Sequence, residues 1–240
     1  METVNSVLEY DNFLKRDYTN LNTRFLRYLL ARVELYICEH SRQEMQNDVM
    51  YIATKTGYKT GYHIEHILSR NATNMAYFDS EEEFESQRNI LGGLLLLKDR
   101  DNISSGNEEY ADKLKTYSNG LVWGHSLCED FYHCNKDIED FCRELKNITQ
   151  GNLSFQAYSK FDKETLYQRS RLLFELIRRP LKTIFQREVC KSEVHADFSY
   201  KPQKNSHSSF EVICCCREKY VHSISYHTLI KVAAQTIIRL

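Results

Sequence analysis

Between Tyr62 and Leu68 the chain alternates apolar and ionisable side chains, Tyr62-His63-Ile64-Glu65-His66-Ile67-Leu68. Period-two alternation is the pattern of a half-buried strand. The polar members are two imidazoles and a carboxylate, a poor set for a core and a good one for a metal-dependent hydrolytic site. Further on, the apolar run Leu94-Leu95-Leu96-Leu97 leads through Lys98-Asp99-Arg100-Asp101 to the carboxamide of Asn102. Asn89 to Leu97 carries Gly92-Gly93 inside this apolar stretch, the mark of a turn or bulge within a hairpin. Any fold of this chain has to accommodate these two segments together.

The rest of the chain predicts a helical setting. Only two prolines and eight glycines occur in 240 residues, 42% hydrophobic and 27% charged, which is ordinary for a globular protein with few tight turns. The net charge of −1 gives no overall basic field, so a polyanion partner has to be met by a local patch. The start, Met1-Glu2-Thr3-Val4-Asn5, has no apolar signal region, and no apolar run approaches the roughly 18 residues that span a bilayer. These features predict a cytoplasmic protein without a membrane partner, and its eight cysteines then read as reduced thiols. Cys128, Cys134 and Cys142 lack paired-ligand spacing, and Cys214-Cys215-Cys216 are adjacent, so a structural zinc is not expected.

Residues 21–39 form the strongest helical pattern, with Leu21, Phe25, Tyr28, Leu29, Val33, Tyr36 and Ile37 at three- and four-residue spacing and Asn20 or Asn22 as cap. A helix and then a loop are expected over 41–60, a strand over 62–68, and a loop over 70–88. The acidic run Asp79, Glu81, Glu82, Glu83, Glu85 within that loop reads as the solvated start of a helix. A helix beginning near Lys98 or later takes in Asn102, and further helices are predicted over 108–117, 126–147 and 162–185. Asp162 is the N-cap of the last, and Pro180 should kink or interrupt it. Phe210 to Cys214 is strand-like, and Leu229 to Leu240 is apolar at helical spacing.

Phosphodiester hydrolysis requires a deprotonated water, neutralised phosphate charge and a stabilised leaving oxygen. An imidazole titrating near neutrality can take the proton. A hard divalent cation held by one or two oxygen ligands supplies the rest. Glu65, Asn102 and His66 have the right residue types. Neighbours on a strand point to opposite faces, so Glu65 and His66 share a site only where the strand ends or twists. A lone His66 would more simply be a hydrogen-bonded core histidine. His63 faces the same way as Glu65 and reads as a phosphate contact or a plain surface residue.

Ile64-Glu65-His66-Ile67-Leu68, then Asn89-Ile90-Leu91-Gly92, then Leu94 to Leu97 with Asn102, resembles the C-terminal HNH nuclease domain of GmrSD-type modification-dependent restriction endonucleases. Arg27 to Glu34 is similar to the helix that precedes this motif, and Lys113 to Tyr117 and the Arg169 helix continue the likeness, which covers roughly residues 20–185. The resemblance implies a ββα-metal (His-Me finger) module, a hairpin and helix clasping one divalent cation, magnesium or alternatively manganese. His66 would be the general base, Glu65 and Asn102 the metal ligands, and His63, Asn89 and Lys113 supporting residues, with Lys113 structural or phosphate-facing. Two positions depart from the pattern. Gly93 stands where the family has the asparagine that braces the base, which should loosen the site without removing base or metal, and Ser69 stands where proline is common.

Residues 163–191 carry eight cationic side chains against three carboxylates. Arg169, Arg171, Arg178, Arg179 and Lys182 among them are candidate nucleic-acid contacts, or equally the solvated face of an amphipathic helix. The expected organisation is an N-terminal helical segment (1–57), the nuclease module (58–120), a C-terminal helical segment (121–185) and an atypical tail (186–240) that could dock a partner. The resulting expectation is a mainly α protein with an embedded hairpin module that cleaves DNA in restriction of foreign or modified DNA. No G-x-x-x-x-G-K-[ST] loop occurs, so the NTP-hydrolysing specificity function that accompanies this domain in the family would reside on a separate subunit. The rival expectation is a non-catalytic DNA-binding or scaffolding subunit with a decayed site.

Overall fold

The structure, a computed structural model, describes residues 9–104, 106–149 and 153–194. The chain divides into two units, Leu8–Lys182 on one hand and Met1–Val7 with Thr183–Leu240 on the other. The first unit carries the hairpin and the helices around it. The strand expected at 210–214 and the helix expected at 229–240 lie outside the described residues.

The core is organised around α2 (Thr23–Ser41), which follows a short helix α1 (Tyr10–Leu14). Asn22 caps α2, its side chain accepting from the backbone N–H groups of Arg24 at 3.0 Å and Phe25 at 3.3 Å. Leu26, Leu30, Val33 and Ile37 line one face and are buried. Each such side chain contributes roughly 1.5–3 kcal/mol on leaving water. The helix ends at Arg42 in a left-handed conformation (φ 53°).

Two buried charges on α2 close its neighbours. Arg27 donates to the carbonyls of Ile52 (3.2 Å) and Lys55 (2.7 Å) and so terminates α3 (Val49–Thr54). Glu34 accepts from the N–H groups of Val122 (2.6 Å) and Trp123 (2.9 Å), the first two residues of α8 (Val122–His125), which has no side-chain cap of its own. A cation at one helix C-terminus and a carboxylate at another N-terminus both match the helix dipole.

The sheet is a two-stranded antiparallel hairpin, β1 (Tyr62–His66) with β2 (Leu94–Lys98), in register from Tyr62↔Lys98 to His66↔Leu94. Leu94 to Leu97 are all buried. Both faces of β2 are covered, since α2, α6 and α8 pack on it, which explains a continuous apolar run in place of alternation. α6 (Asp99–Ser104) starts directly after β2 and packs back against both strands. Between the strands lie α4 (Ala72–Met75), α5 (Glu81–Gln87) and a 3-10 turn, Leu91–Gly93. At Gly92 a Cβ would fall 2.3 Å from Ser170 Oγ and 2.4 Å from its backbone N, so only glycine lets the turn touch the later helix.

Helix α7 (Tyr110–Tyr117) precedes α8, a 3-10 turn (Glu129–Tyr132), α9 (Lys136–Ile148) and α10 (Lys163–Val194). Asp162 caps α10 by accepting from Thr165 N at 3.0 Å. Four expectations are corrected. The first strand stops at His66 instead of Leu68. The 70–88 segment holds two short helices, and Ser80 caps the second, with Glu81 to Glu83 in its first turn where negative charge is favoured. The helix expected over 126–147 is broken, because Cys134 takes a positive φ (57°) and Asn135 caps a new helix, accepting from Ile138 N at 3.3 Å. Pro180 does not interrupt α10, which runs through it to Val194. A proline costs its own N–H bond, but the backbone here stays helical on both sides. No helix among the described residues is long and apolar enough to cross a membrane.

Glu34 is 1% exposed, and burial pushes its carboxyl up to about 7 against the hydrogen bonds that favour the anion. A raised carboxyl adds stability that is full below its unfolded value near 4.5 and is lost as pH climbs through about 7. Urea unfolding should therefore show wild type losing stability relative to Glu34→Gln across that window. A parallel pair of curves would refute the assignment.

Candidate active site

Glu65 lies on β1 but is buried, 6% exposed, with its carboxylate turned to Lys113 and Tyr117 of α7. Its Oε1 accepts from Lys113 Nζ and, at 3.3 Å, from the Tyr117 hydroxyl. Lys113 and Tyr117 are one turn apart on α7, so a single helix face supplies both donors. Lys113 Nζ also donates to the backbone carbonyl of His66 at 2.9 Å. Burial raises the Glu65 carboxyl and lowers the Lys113 ammonium, and each partner opposes the other's shift. Lys113 is 1% exposed, so it pins the strand and does not face phosphate. Oε2 of Glu65 carries no hydrogen bond among the described residues.

His66, the next residue, is half-buried at the strand end. Its Nε2 lies 3.0 Å from Asn89 Oδ1. The Asn89 amide nitrogen donates to the Glu85 carbonyl at 2.6 Å, which fixes the carboxamide orientation and leaves Oδ1 facing the imidazole. The network thus assigns the proton to Nε2 and leaves Nδ1 as the open lone pair. Burial, then the nearby Arg88 charge, pushes the imidazolium down to about 4, against the pull of Asn89. The ring is neutral at neutral pH. Tyr18 stands edge-on to it, ring centroids 4.7 Å apart. Tyr18 is held there by its backbone N–H donating to the Asn89 carbonyl (2.9 Å), beside the Asp17↔Ile90 bridge.

Asn102 sits half-buried on α6 with no hydrogen bond to its side chain among the described residues. Among those residues no group of three or more His, Cys, Asp and Glu side chains could hold a metal ion. A cation here would rely on the free oxygen of Glu65 and the carboxamide of Asn102, with water and phosphate completing its shell. His63 is separate. Its Nε2 is 3.0 Å from the Thr56 carbonyl and 3.3 Å from Asp99 Oδ1, at the opposite end of the hairpin.

Three residues that sequence reading did not single out join the site. Arg88 donates through Nε to the Leu68 carbonyl at 3.1 Å. Arg70 grips Glu85 with both Nε (2.6 Å) and Nη2 (2.8 Å). Tyr18 arrives from far upstream, with no local signal to announce it. Gly93 does not border the imidazole bond: a Cβ there would meet Leu166 Cδ1 at 3.0 Å and the Arg88 carbonyl at 3.4 Å. Ser69 is buried, its hydroxyl without a hydrogen-bond partner among the described residues.

The cationic patch expected on α10 dissolves in part. Arg169 is 1% exposed, its guanidinium 3.6 Å from the Trp123 ring centroid, donating to the Trp123 carbonyl (2.5 Å) and Ser126 Oγ (3.4 Å). It is a core residue that phosphate does not reach. Its spacing from Leu166, Leu173 and Leu176, all buried, was the helical signal for this. Arg171 is exposed over Tyr10, centroid 4.8 Å, and Arg178 pairs with Glu175 at 2.6 Å. The side chains of Arg179 and Lys182 lie outside the described residues. Four described cysteines, Cys38, Cys128, Cys134 and Cys142, are free thiols.

Nitrogen NMR of the imidazoles in chelator should show His66 as the neutral Nε2–H tautomer, and Asn89→Ala should convert it to mixed tautomers; a pure Nδ1–H signal in wild type would contradict the assignment. Arg169→Met should lower unfolding stability by roughly 1–3 kcal/mol, the scale of hydrogen bonds to a charged group, while DNA affinity stays unchanged. A Met variant as stable as wild type but weaker for DNA would return Arg169 to the surface.

No curated protein and no solved structure matches the chain. A family model described as GmrSD restriction endonucleases, C-terminal domain, matches residues 3–176. That span includes β1, β2, α6, α7 and every described side chain of the Glu65–His66 site, and the chain therefore belongs to the GmrSD restriction endonuclease C-terminal domain family.

Proposed function

We propose that the chain is a metal-dependent, HNH-type DNA endonuclease in which residues 58–120 form the ββα-metal module. The observation that carries this is the pairing of an imidazole with a fixed tautomer and open Nδ1 (His66) with an adjacent carboxylate having one unbonded oxygen (Glu65). His66 Nδ1 takes the proton from the attacking water, and Asn89 holds the ring while the developing imidazolium keeps its Nε2–H bond. Glu65 and Asn102 would hold the cation, magnesium or manganese, which when bound supplies phosphate charge neutralisation and leaving-group stabilisation. Lys113 fixes Glu65 through one oxygen and the backbone of His66 through its carbonyl, so one side chain anchors both residues at the strand end. Asn89 supplies the brace that an asparagine at position 93 would give. His63 steadies the start of α6 through Asp99.

In the cell we infer a cytoplasmic role in restriction of foreign or modified DNA, with a separate NTP-hydrolysing subunit providing specificity and the 186–240 segment available for docking it. Plasmid cleavage with magnesium or manganese, with and without chelator, tests the assignment. His66→Ala should lower the rate about 10²–10⁴-fold, the range for losing a positioned general base, and Glu65→Gln and Asn102→Ala should raise the metal requirement. Cleavage unchanged in His66→Ala would remove this site from the reaction. A wild type that binds DNA without cutting it would favour the non-catalytic alternative that Gly93 raises.

A further inference from the structure

Arg88 is 7% exposed, yet its guanidinium is incompletely used. Nε donates to the Leu68 carbonyl, but among the described residues the terminal nitrogens have only Glu85 Oε2, at 3.8 Å from Nη1, beyond hydrogen-bond distance. The Phe84 ring centroid lies 6.0 Å from Cζ and supplies no acceptor. A buried arginine normally spends its donors on carboxylates or carbonyls, because an unpaired buried charge is costly. The position of the charge is informative. Arg88 follows α5, precedes Asn89, and is bonded two residues beyond His66. Both Glu65 and His66 feel its field.

The obvious partner is withheld from it. Glu85 is half-buried beside Arg88, but Arg70 occupies both of its carboxylate oxygens in a bidentate pair. Arg70 is the more exposed of the two arginines, its side chain 62% accessible against 9% for Arg88. An exposed arginine has thus taken the carboxylate that the buried one would be expected to hold. What remains is a preorganised cation with fork-like donors next to an imidazole and a carboxylate.

We propose that Arg88 is the phosphate-binding residue of this site, and that Arg70 keeps it available by holding Glu85 away. The proposal rests on the nuclease reading for the identity of the phosphate as that of a DNA strand. Planar, bidentate donors match two phosphate oxygens, and a phosphate at Arg88 would lie beside His66. Arg70 acts through Glu85 and is a positioning residue.

Fluorescence anisotropy of a short labelled DNA duplex with the full chain, in chelator so that no cleavage occurs, separates the roles. Arg88→Gln should weaken binding roughly tenfold, the scale of a charged hydrogen-bonded contact, and reduce the salt slope by about one. Arg70→Ala should weaken binding as well, since Glu85 then turns to Arg88. Arg70→Ala with Glu85→Gln should recover affinity to within about twofold of wild type. This cycle leaves Arg88 in place and so stays informative if Arg88→Gln does not fold. A folded Arg88→Gln that binds like wild type overturns the proposal, as does a double variant as weak as Arg70→Ala alone, which would mean Arg70 itself touches DNA. Lys115→Gln, which removes an exposed cation from α7, is the reference and should bind normally. If wild type never cleaves DNA but the Arg88 pattern holds, the phosphate site stands and the nuclease reading falls. If wild type cleaves and Arg88→Gln binds and cleaves equally, the reverse is true.

Discussion

The site depends on one buried ion pair. Glu65 is a carboxylate on the inner face of a hairpin, and its removal from water is tolerable only because Lys113 meets it there. That lysine makes a second bond, to the carbonyl of His66, so one ammonium fixes both the residue proposed to hold a cation and the backbone of the residue proposed to accept a proton. An ion pair of this kind adds little net stability compared with an apolar pair, but it specifies geometry. It ties β1 to α7 at one point, and any shift of the strand by a residue would leave a buried charge alone.

The surrounding scaffold uses charge in the same way. α2 carries Arg27 and Glu34 on its buried side, and each serves the end of a different helix. Through Glu34 the helix holds α8 in place, and α8 in turn presents Trp123, which donates through Nε1 to the Leu94 carbonyl at the start of β2 and carries Arg169 on its ring. The hairpin is therefore held from both sides by polar contacts reaching across the core. The loop from α5 into β2 is shaped at Gly92, where the backbone meets Ser170. Asn89, in the same loop, bonds His66 even though position 93 is glycine.

Much of this was legible in the chain itself. Alternation announced β1, the leucine run announced β2, and three- and four-residue spacing announced α2, with Asn22 as its cap. The likeness carried by Glu65-His66 and Asn102 led to the family. Other features were illegible for identifiable reasons. Cys134 has no side-chain property that forces a positive φ, so the break before α9 shows only in the backbone, where Asn135 then caps a new helix. Arg169 looks like a surface cation until the heptad-like row of Leu166, Leu173 and Leu176 is laid beside it, and even then its carbonyl and indole partners come from α8.

By itself the sequence determined the residue types of the site, the order strand, strand, helix, and the helical frame, because periodicity and composition act over a few residues. Tertiary structure alone decided which side chains meet. Asn89 instead of position 93 holds the imidazole, Lys113 turns inward, Tyr18 crosses from the N-terminal segment, and Glu85 hydrogen-bonds Arg70 while staying 3.8 Å from Arg88. Each of these is a choice among competing hydrogen-bond partners remote in sequence. Such a choice is settled by burial and distance, neither of which a local pattern encodes.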